Sequence, residues 1–172
     1  WINDIDQSWT LFLDRDGVIN EDHGYVHSKE NFDFLPGIFE LALAARANGY
    51  LCVVVTNQVG IGRGLYTTRQ FKTLSTWMCE QFQNRGAFID AIYYSPFHPT
   101  EARGRYLLKE ATRKPGAGMF LEAAEELNID LSKSIMVGDK VSDVEASAKA
   151  NIPSNYLLSS SYINLDQSLK GK

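Results

Sequence analysis

Long apolar runs are missing from this chain. None approaches the ~20 residues that cross a bilayer, and no charged start leads into an apolar core as in a secretory leader. Cysteine is scarce: Cys52 and Cys79 are the only two in 172 residues, with no Cys-x-x-Cys pairing. Each falls in an apolar stretch, so both read as reduced core residues and point to a cytoplasmic protein. Basic charge is not in excess either. Seventeen Lys and Arg stand against 21 Asp and Glu, a net charge of −4. Such a surface gives no general pull toward nucleic acid or acidic membranes, and leaves room only for a local basic cluster around a phosphorylated small molecule. No internal repeat is present.

What remains is the composition of an ordinary globular protein, 44% hydrophobic and 22% charged. The length suits one domain over residues 1–172, with a core at about 9–158 and a polar tail at 159–172. Nothing announces an interface, so a monomer is expected.

Apolar runs alternate with helical patterns along that core. Thr10-Leu11-Phe12-Leu13 is short and continuous, as in a strand buried on both faces. Pro36-Gly37 introduces a helix with Ile38, Leu41, Ala42 and Ala45 at helical spacing, closed by Asn48-Gly49. Residues 51–55 form the clearest strand, followed by a glycine-rich loop at 60–64. Thr67 and Gln70 read as a capping box for a helix that puts Phe71, Leu74, Met78 and Phe82 on one face. Further strands are expected at 91–94, 134–137 and 155–158, with helices around 119–127 and 142–150. An irregular stretch at 95–115 is too long for a routine connection, as functional loops often are. Alternating strands and helices predict an α/β fold: a doubly wound, Rossmann-like parallel sheet covered on both faces, without a large cap domain.

In such sheets, ligands sit beyond the carboxyl ends of the strands. Those ends deliver Asp14-Arg15-Asp16-Gly17, Thr56-Asn57-Gln58, Arg113-Lys114 at the end of the long loop, and Gly138-Asp139-Lys140. Asp14, Asp16, Asp139 and Asp143 put up to four carboxylates at one edge, where they raise one another's pKa unless a cation intervenes. Mg²⁺ suits a few carboxylates, waters and phosphate oxygens. With the metal present, one carboxylate can act as nucleophile and a second as acid and then base. The Thr56 hydroxyl, Asn57 amide and Lys114 ammonium supply the donors and charge that phosphoryl transfer needs.

Asp14-Arg15-Asp16-Gly17-Val18-Ile19-Asn20 resembles the first motif of the haloacid dehalogenase (HAD) superfamily of phosphatases. Thr56, Lys114 and Gly138-Asp139-Lys140-Val141-Ser142-Asp143 resemble its second, third and fourth. Within it, the D-glycero-D-manno-heptose 1,7-bisphosphate phosphatase and histidinol-phosphate phosphatase family is the nearer match. That match also rests on Asp22-His23-Gly24-Tyr25-Val26-His27, on residues 56–64, on Ile92-Tyr93-Tyr94-Ser95-Pro96 and on Arg113-Lys114-Pro115. The resemblance implies Asp14 as nucleophile and Asp16 as general acid/base. It implies Mg²⁺ held by Asp14, the Asp16 carbonyl and Asp139, with Thr56 and Lys114 on the transferring phosphoryl group. Asn57, Arg113 and Lys140 match the family's positions for substrate contact, and Asp143 supports its loop. Substrate choice would rest on the loops 20–32, 58–64 and 95–114.

One departure is plain. Relatives bind a structural zinc in the third loop through a Cys-x-His pair and a later Cys-x-Cys. Here Ser95 and His98 lead the loop, and Glu110 and Thr112 stand where the later cysteines would be. Hydroxyls are poor zinc ligands beside thiolates. Structural zinc is therefore expected to be absent, with the loop ordered by its own packing through Tyr106, Leu107 and Leu108. The resulting expectation is a phosphoric monoester hydrolase removing the 7-phosphate of the heptose bisphosphate. Histidinol phosphate is the alternative substrate, and a phosphoester-binding protein without turnover is a further alternative. A nucleic-acid 3′-phosphatase is opposed by the net acidity and the lack of a basic stripe.

Overall fold

The computed structural model describes residues 6–159. Five strands form one all-parallel sheet: β1 (Thr10–Leu13), β2 (Leu51–Asn57), β3 (Ala91–Ser95), β4 (Ile135–Gly138) and β5 (Ser154–Leu157), in the order β3-β2-β1-β4-β5. Between them run α1 (Ile38–Ala47), α2 (Val59–Gly62), α3 (Thr68–Gln83), α4 (Gly118–Leu127) and α5 (Val141–Lys149). The expected strands and long helices are all present, with ends shifted by a residue or two.

Strand periodicity explains the two layers. Alternate residues of β1 and β2 point to opposite faces. Leu11, Leu13, Cys52 and Val54 join α1 and α3 through Ile38, Ala42, Leu74, Met78 and Phe82 in one buried cluster. Phe12, Val53 and Val55 join α4 and α5 through Met119, Phe120, Ala123 and Ala146 in the other. Buried on both faces, these strands need the continuous apolar runs seen in the sequence. The Thr67 hydroxyl accepts from the Gln70 N–H at 3.1 Å, and the Gln70 side chain accepts from the Thr67 N–H at 2.8 Å, completing the expected capping box. Both cysteines are free thiols, Cys52 buried and Cys79 half-buried.

The chain winds from β1 outward through β2 to β3, then returns to place β4 on the other side of β1. The switch in strand order thus lies between β1 and β4, the place where open α/β sheets bind ligands. No helix among the described residues is long and apolar enough to cross a membrane.

Two local expectations need correction. The glycine-rich segment is not all loop, because residues 59–62 close a helical turn in which the Arg63 N–H donates to the Val59 carbonyl at 2.8 Å. In the long loop, Tyr106 packs edge-on against Phe97 as expected, but Leu107 and Leu108 are exposed. Hydrogen bonds order the loop instead. His98 Nδ1 accepts from the N–H groups of Thr100 and Glu101 at 3.1 and 2.9 Å. Its backbone bridges to Tyr106 and Leu108, and the Ser95 and Thr112 hydroxyls meet at 3.2 Å.

Candidate active site

Asp14 follows β1 directly, and its N–H extends the ladder to the Val137 carbonyl of β4 at 3.1 Å. The chain then turns sharply: the Arg15 carbonyl accepts from the N–H groups of Val18, Ile19 and Asn20. Gly17 sits in this turn at φ +87, and a Cβ there would lie 2.1 Å from an Asp139 carboxylate oxygen. Glycine therefore allows both the left-handed turn and the close approach of the loop after β4.

Lys114 is buried across from Asp14. Its ammonium donates to Asp14 Oδ1 at 3.0 Å, to the Val55 carbonyl at 2.9 Å and to Asp143 Oδ1. Burial by itself lowers a lysine pKa, but the two carboxylates outweigh it and hold this one above its ordinary value. Asn57 fixes the lysine's backbone: its Nδ2 donates to the Lys114 carbonyl at 3.1 Å and its Oδ1 accepts from the Lys114 N–H at 3.0 Å. Asp143 Oδ2 accepts from the N–H groups of Asp139 and Lys140, both at 3.1 Å, so this carboxylate organises the loop after β4.

Asp16 is held from three sides. Its Oδ1 accepts from Arg15 Nη2 at 2.8 Å and Asn20 Nδ2 at 3.0 Å, and its Oδ2 accepts from Gln58 Nε2 at 3.1 Å. Thr56, buried at the end of β2, accepts from the same Gln58 Nε2 at 2.9 Å. Asp14, Asp16, Asn57, Lys114, Lys140, Ser142 and Asp143 line one small cavity. Arg113 is half-buried and donates to the Phe97 carbonyl at 3.3 Å. Burial lowers its pKa, though a guanidinium keeps its charge in proteins. The Lys140 ammonium is mostly exposed, 3.8 Å from Asp22. The sequence reading thus brought the right loops together but missed Gln58 and Asn20. No spacing rule marks them; only their position beside the strand ends does. A shallower groove on α3, lined by Thr68, Arg69, Lys72, Thr73 and Thr76, draws on one helix alone and gathers no converging carboxylates.

The carboxylates fit a hard cation. Oxygens of Asp14, Asp139 and Asp143 lie within 4.8 Å of one another. Asp143 is already engaged by Lys114 and two N–H groups, whereas Asp139 Oδ1 is buried without a partner among the described residues. Burial pushes Asp14 above the usual carboxylate range against the lowering pull of Lys114. Burial, and then the Asp14 charge, push Asp139 up to about 7. Asp14 and Asp139 are thus two carboxylates that repel each other and could share a cation.

A carboxyl whose pKa is raised by folding contributes stability below its unfolded value near 3.8, and loses it as pH rises through about 7. Mg²⁺ held by this pair would select its deprotonated form and offset that loss. The gain in Tm on adding Mg²⁺, relative to EDTA, is therefore expected to be larger at about pH 8 than at about pH 5. A gain that stays level or shrinks with pH would count against these ligands.

The HAD-hydrolase-like family matches residues 111–164. The D-glycero-alpha-D-manno-heptose-1,7-bisphosphate 7-phosphatase of Burkholderia mallei is 52% identical over 148 residues, which cover 86% of this chain and 78% of that protein. The corresponding beta-bisphosphate 7-phosphatase of Vibrio cholerae is 47% identical over 86% of this chain and 80% of that one. Among solved structures, the D,D-heptose 1,7-bisphosphate phosphatase of B. bronchiseptica, complexed with magnesium and phosphate, superposes with a TM-score of 0.78 at 30% identity. That match covers 92% of this chain and 86% of that one. Identity of this degree over most of each chain, on a shared fold, makes this protein a member of the HAD-like hydrolases, in the branch of the heptose bisphosphate phosphatases.

Proposed function

We propose that the chain is a Mg²⁺-dependent phosphatase that removes the 7-phosphate of D-glycero-D-manno-heptose 1,7-bisphosphate through a phosphoryl-Asp14 intermediate. The observation that carries this reading is Asp14 at the sheet's switch point, 3.0 Å from the buried Lys114 ammonium and beside an Asp139 oxygen that has no partner among the described residues. Asp14, Asp139 and the Asp16 carbonyl would hold the metal. When bound, Mg²⁺ supplies charge that keeps both carboxylates ionised and withdraws density from the phosphoryl oxygens.

The chain's own groups do the rest. An Asp14 carboxylate oxygen attacks phosphorus, and the bond between phosphorus and the sugar oxygen breaks. The departing alkoxide takes its proton from the Asp16 carboxyl group. Asp16, now ionised, removes a proton from water, which attacks phosphorus and returns inorganic phosphate and free Asp14. Lys114 and the Thr56 hydroxyl neutralise and bond the equatorial oxygens. Asn57 keeps one amide hydrogen beyond its Lys114 bond for a substrate oxygen, and Arg113 and Lys140 face the far phosphate. The same reading takes the chain as one catalytic domain, a cytoplasmic monomer acting on a small phosphorylated sugar without nucleic acid or membrane.

The decisive assay is Mg²⁺-dependent phosphate release from both anomers of the bisphosphate and from histidinol phosphate. Release from a heptose bisphosphate with the 1-phosphate retained is expected. Turnover of histidinol phosphate alone would keep the mechanism and overturn the substrate. The loop at 95–115 is proposed to need no zinc: Ser95 and Thr112 bond each other, and His98 Nδ1 already accepts two N–H groups. Elemental analysis is expected to find no stoichiometric zinc; one zinc per chain would contradict this.

A further inference from the structure

Gln58 is buried to 2% exposure immediately after β2, and its carboxamide touches two groups of the reaction just described. One Nε2 hydrogen goes to Asp16 Oδ2 at 3.1 Å, and the other to Thr56 Oγ1 at 2.9 Å. Its Oε1 accepts the Tyr66 O–H. With Asp16 ionised, as it is once the alkoxide has left, the reverse orientation would set Oε1 against a carboxylate oxygen with no proton between them. We propose that Gln58 is a positioning residue that presents Asp16 Oδ2 as the proton-carrying oxygen and turns the Thr56 hydroxyl into a donor, with Tyr66 holding Gln58 in register.

The hydrogen-bond inventory carries this. Asp16 Oδ1 is occupied by Arg15 Nη2 at 2.8 Å, Arg15 Nε at 3.3 Å and Asn20 Nδ2 at 3.0 Å. Among the described residues, Gln58 is the one side chain recorded on Oδ2. An oxygen with three donors has no capacity for a proton, whereas Oδ2 keeps an open lone pair. Thr56 Oγ1 has one lone pair engaged by Gln58, and its proton reaches only the Asn57 carbonyl, at 3.4 Å. That long contact is easily exchanged for a phosphoryl oxygen.

Tyr66 is itself well fixed. It is 5% exposed, its ring stacks on His27 with centroids 5.1 Å apart, and a Cβ at Gly60 would lie 2.1 Å from the ring. Burial pushes its hydroxyl up to about 12, so it remains a donor throughout the working range. The glycine in the turn after β2 therefore has a chemical consequence, since it leaves room for the ring that orients Gln58.

This inference rests on Asp16 as general acid, and the test separates the two claims. A sugar alkoxide needs protonation to leave, whereas para-nitrophenolate leaves with little help. The quantity to read is kcat/KM for heptose 1,7-bisphosphate relative to para-nitrophenyl phosphate. Asp16→Asn should lower that ratio strongly. If it does not, the acid/base reading fails and this proposal with it. Gln58→Met should lower the ratio about 10-fold, a part of the roughly 10²–10⁴-fold that general acid catalysis supplies. Tyr66→Phe should lower the ratio by a smaller factor. It also keeps the test open should Gln58→Met not fold. Equal losses on the two substrates, in Gln58→Met or in Tyr66→Phe, would show a merely structural role and overturn the proposal.

Discussion

Asparagine at position 14 is expected to lower phosphate release by about 10⁴-fold or more while leaving the fold standing. A nucleophile acting in a concerted group carries most of the rate, so losing it costs nearly as much as losing the whole group. The amide matches the carboxylate in shape but cannot form the acyl phosphate. Stability behaves differently. Lys114 keeps its second carboxylate, Asp143, and the Val55 carbonyl, and Asp139 loses a neighbour that pushes its pKa up. Asp14→Asn should therefore change unfolding free energy by about 1 kcal/mol or less. Circular dichroism and urea titration, run beside the phosphate assay, check both halves. Substantial residual turnover would remove Asp14 from the chemistry, and a collapsed fold would make it structural.

Methionine at position 114 should do the opposite and damage both. Lys114 is almost wholly buried between Asp14 and Asp143. Removing the cation leaves two carboxylates facing each other out of water, with the Val55 carbonyl stripped of a donor. Breaking a buried pair in this way typically destabilises by about 3–5 kcal/mol. Because protonation relieves the stranded carboxylates, the deficit against wild type should shrink as pH falls toward 4. Urea unfolding at two pH values tests this. A loss below about 1 kcal/mol at neutral pH, or one independent of pH, would show that the lysine's charge is not what holds this corner together.

The two outcomes differ because Asp14 and Lys114 share a hydrogen bond but not a dependence. Lysine has three donors on three acceptors, whereas Asp14 is one of two counter-charges. The architecture around them was largely legible in the sequence. Val53, Val54 and Val55 read as a buried strand because a parallel strand is covered on both faces. Asp14 and Asp139 stood out because each follows such a run. Gln58 and Tyr66 did not, since their hydrogen bond joins positions eight apart across a turn, a relation with no helical or strand period. Asn57 was read for its chemistry toward a substrate; its double bond to the Lys114 backbone spans 57 positions and exists only in the fold. Leu107 and Leu108 were expected to pack because they are apolar, yet backbone bonds through His98 order that loop without them.

The central claim is that the phosphoryl group passes through Asp14. The most direct measurement is mass spectrometry of the acid-quenched enzyme during turnover of para-nitrophenyl phosphate with Mg²⁺, a substrate whose leaving group needs little acid help, compared with Asp16→Asn and Asp14→Asn. A phosphoryl adduct on the peptide containing Asp14, enriched in Asp16→Asn and missing from Asp14→Asn, is the predicted result. Steady turnover with no adduct in wild type or in Asp16→Asn would mean that water attacks the substrate directly, and would contradict the account.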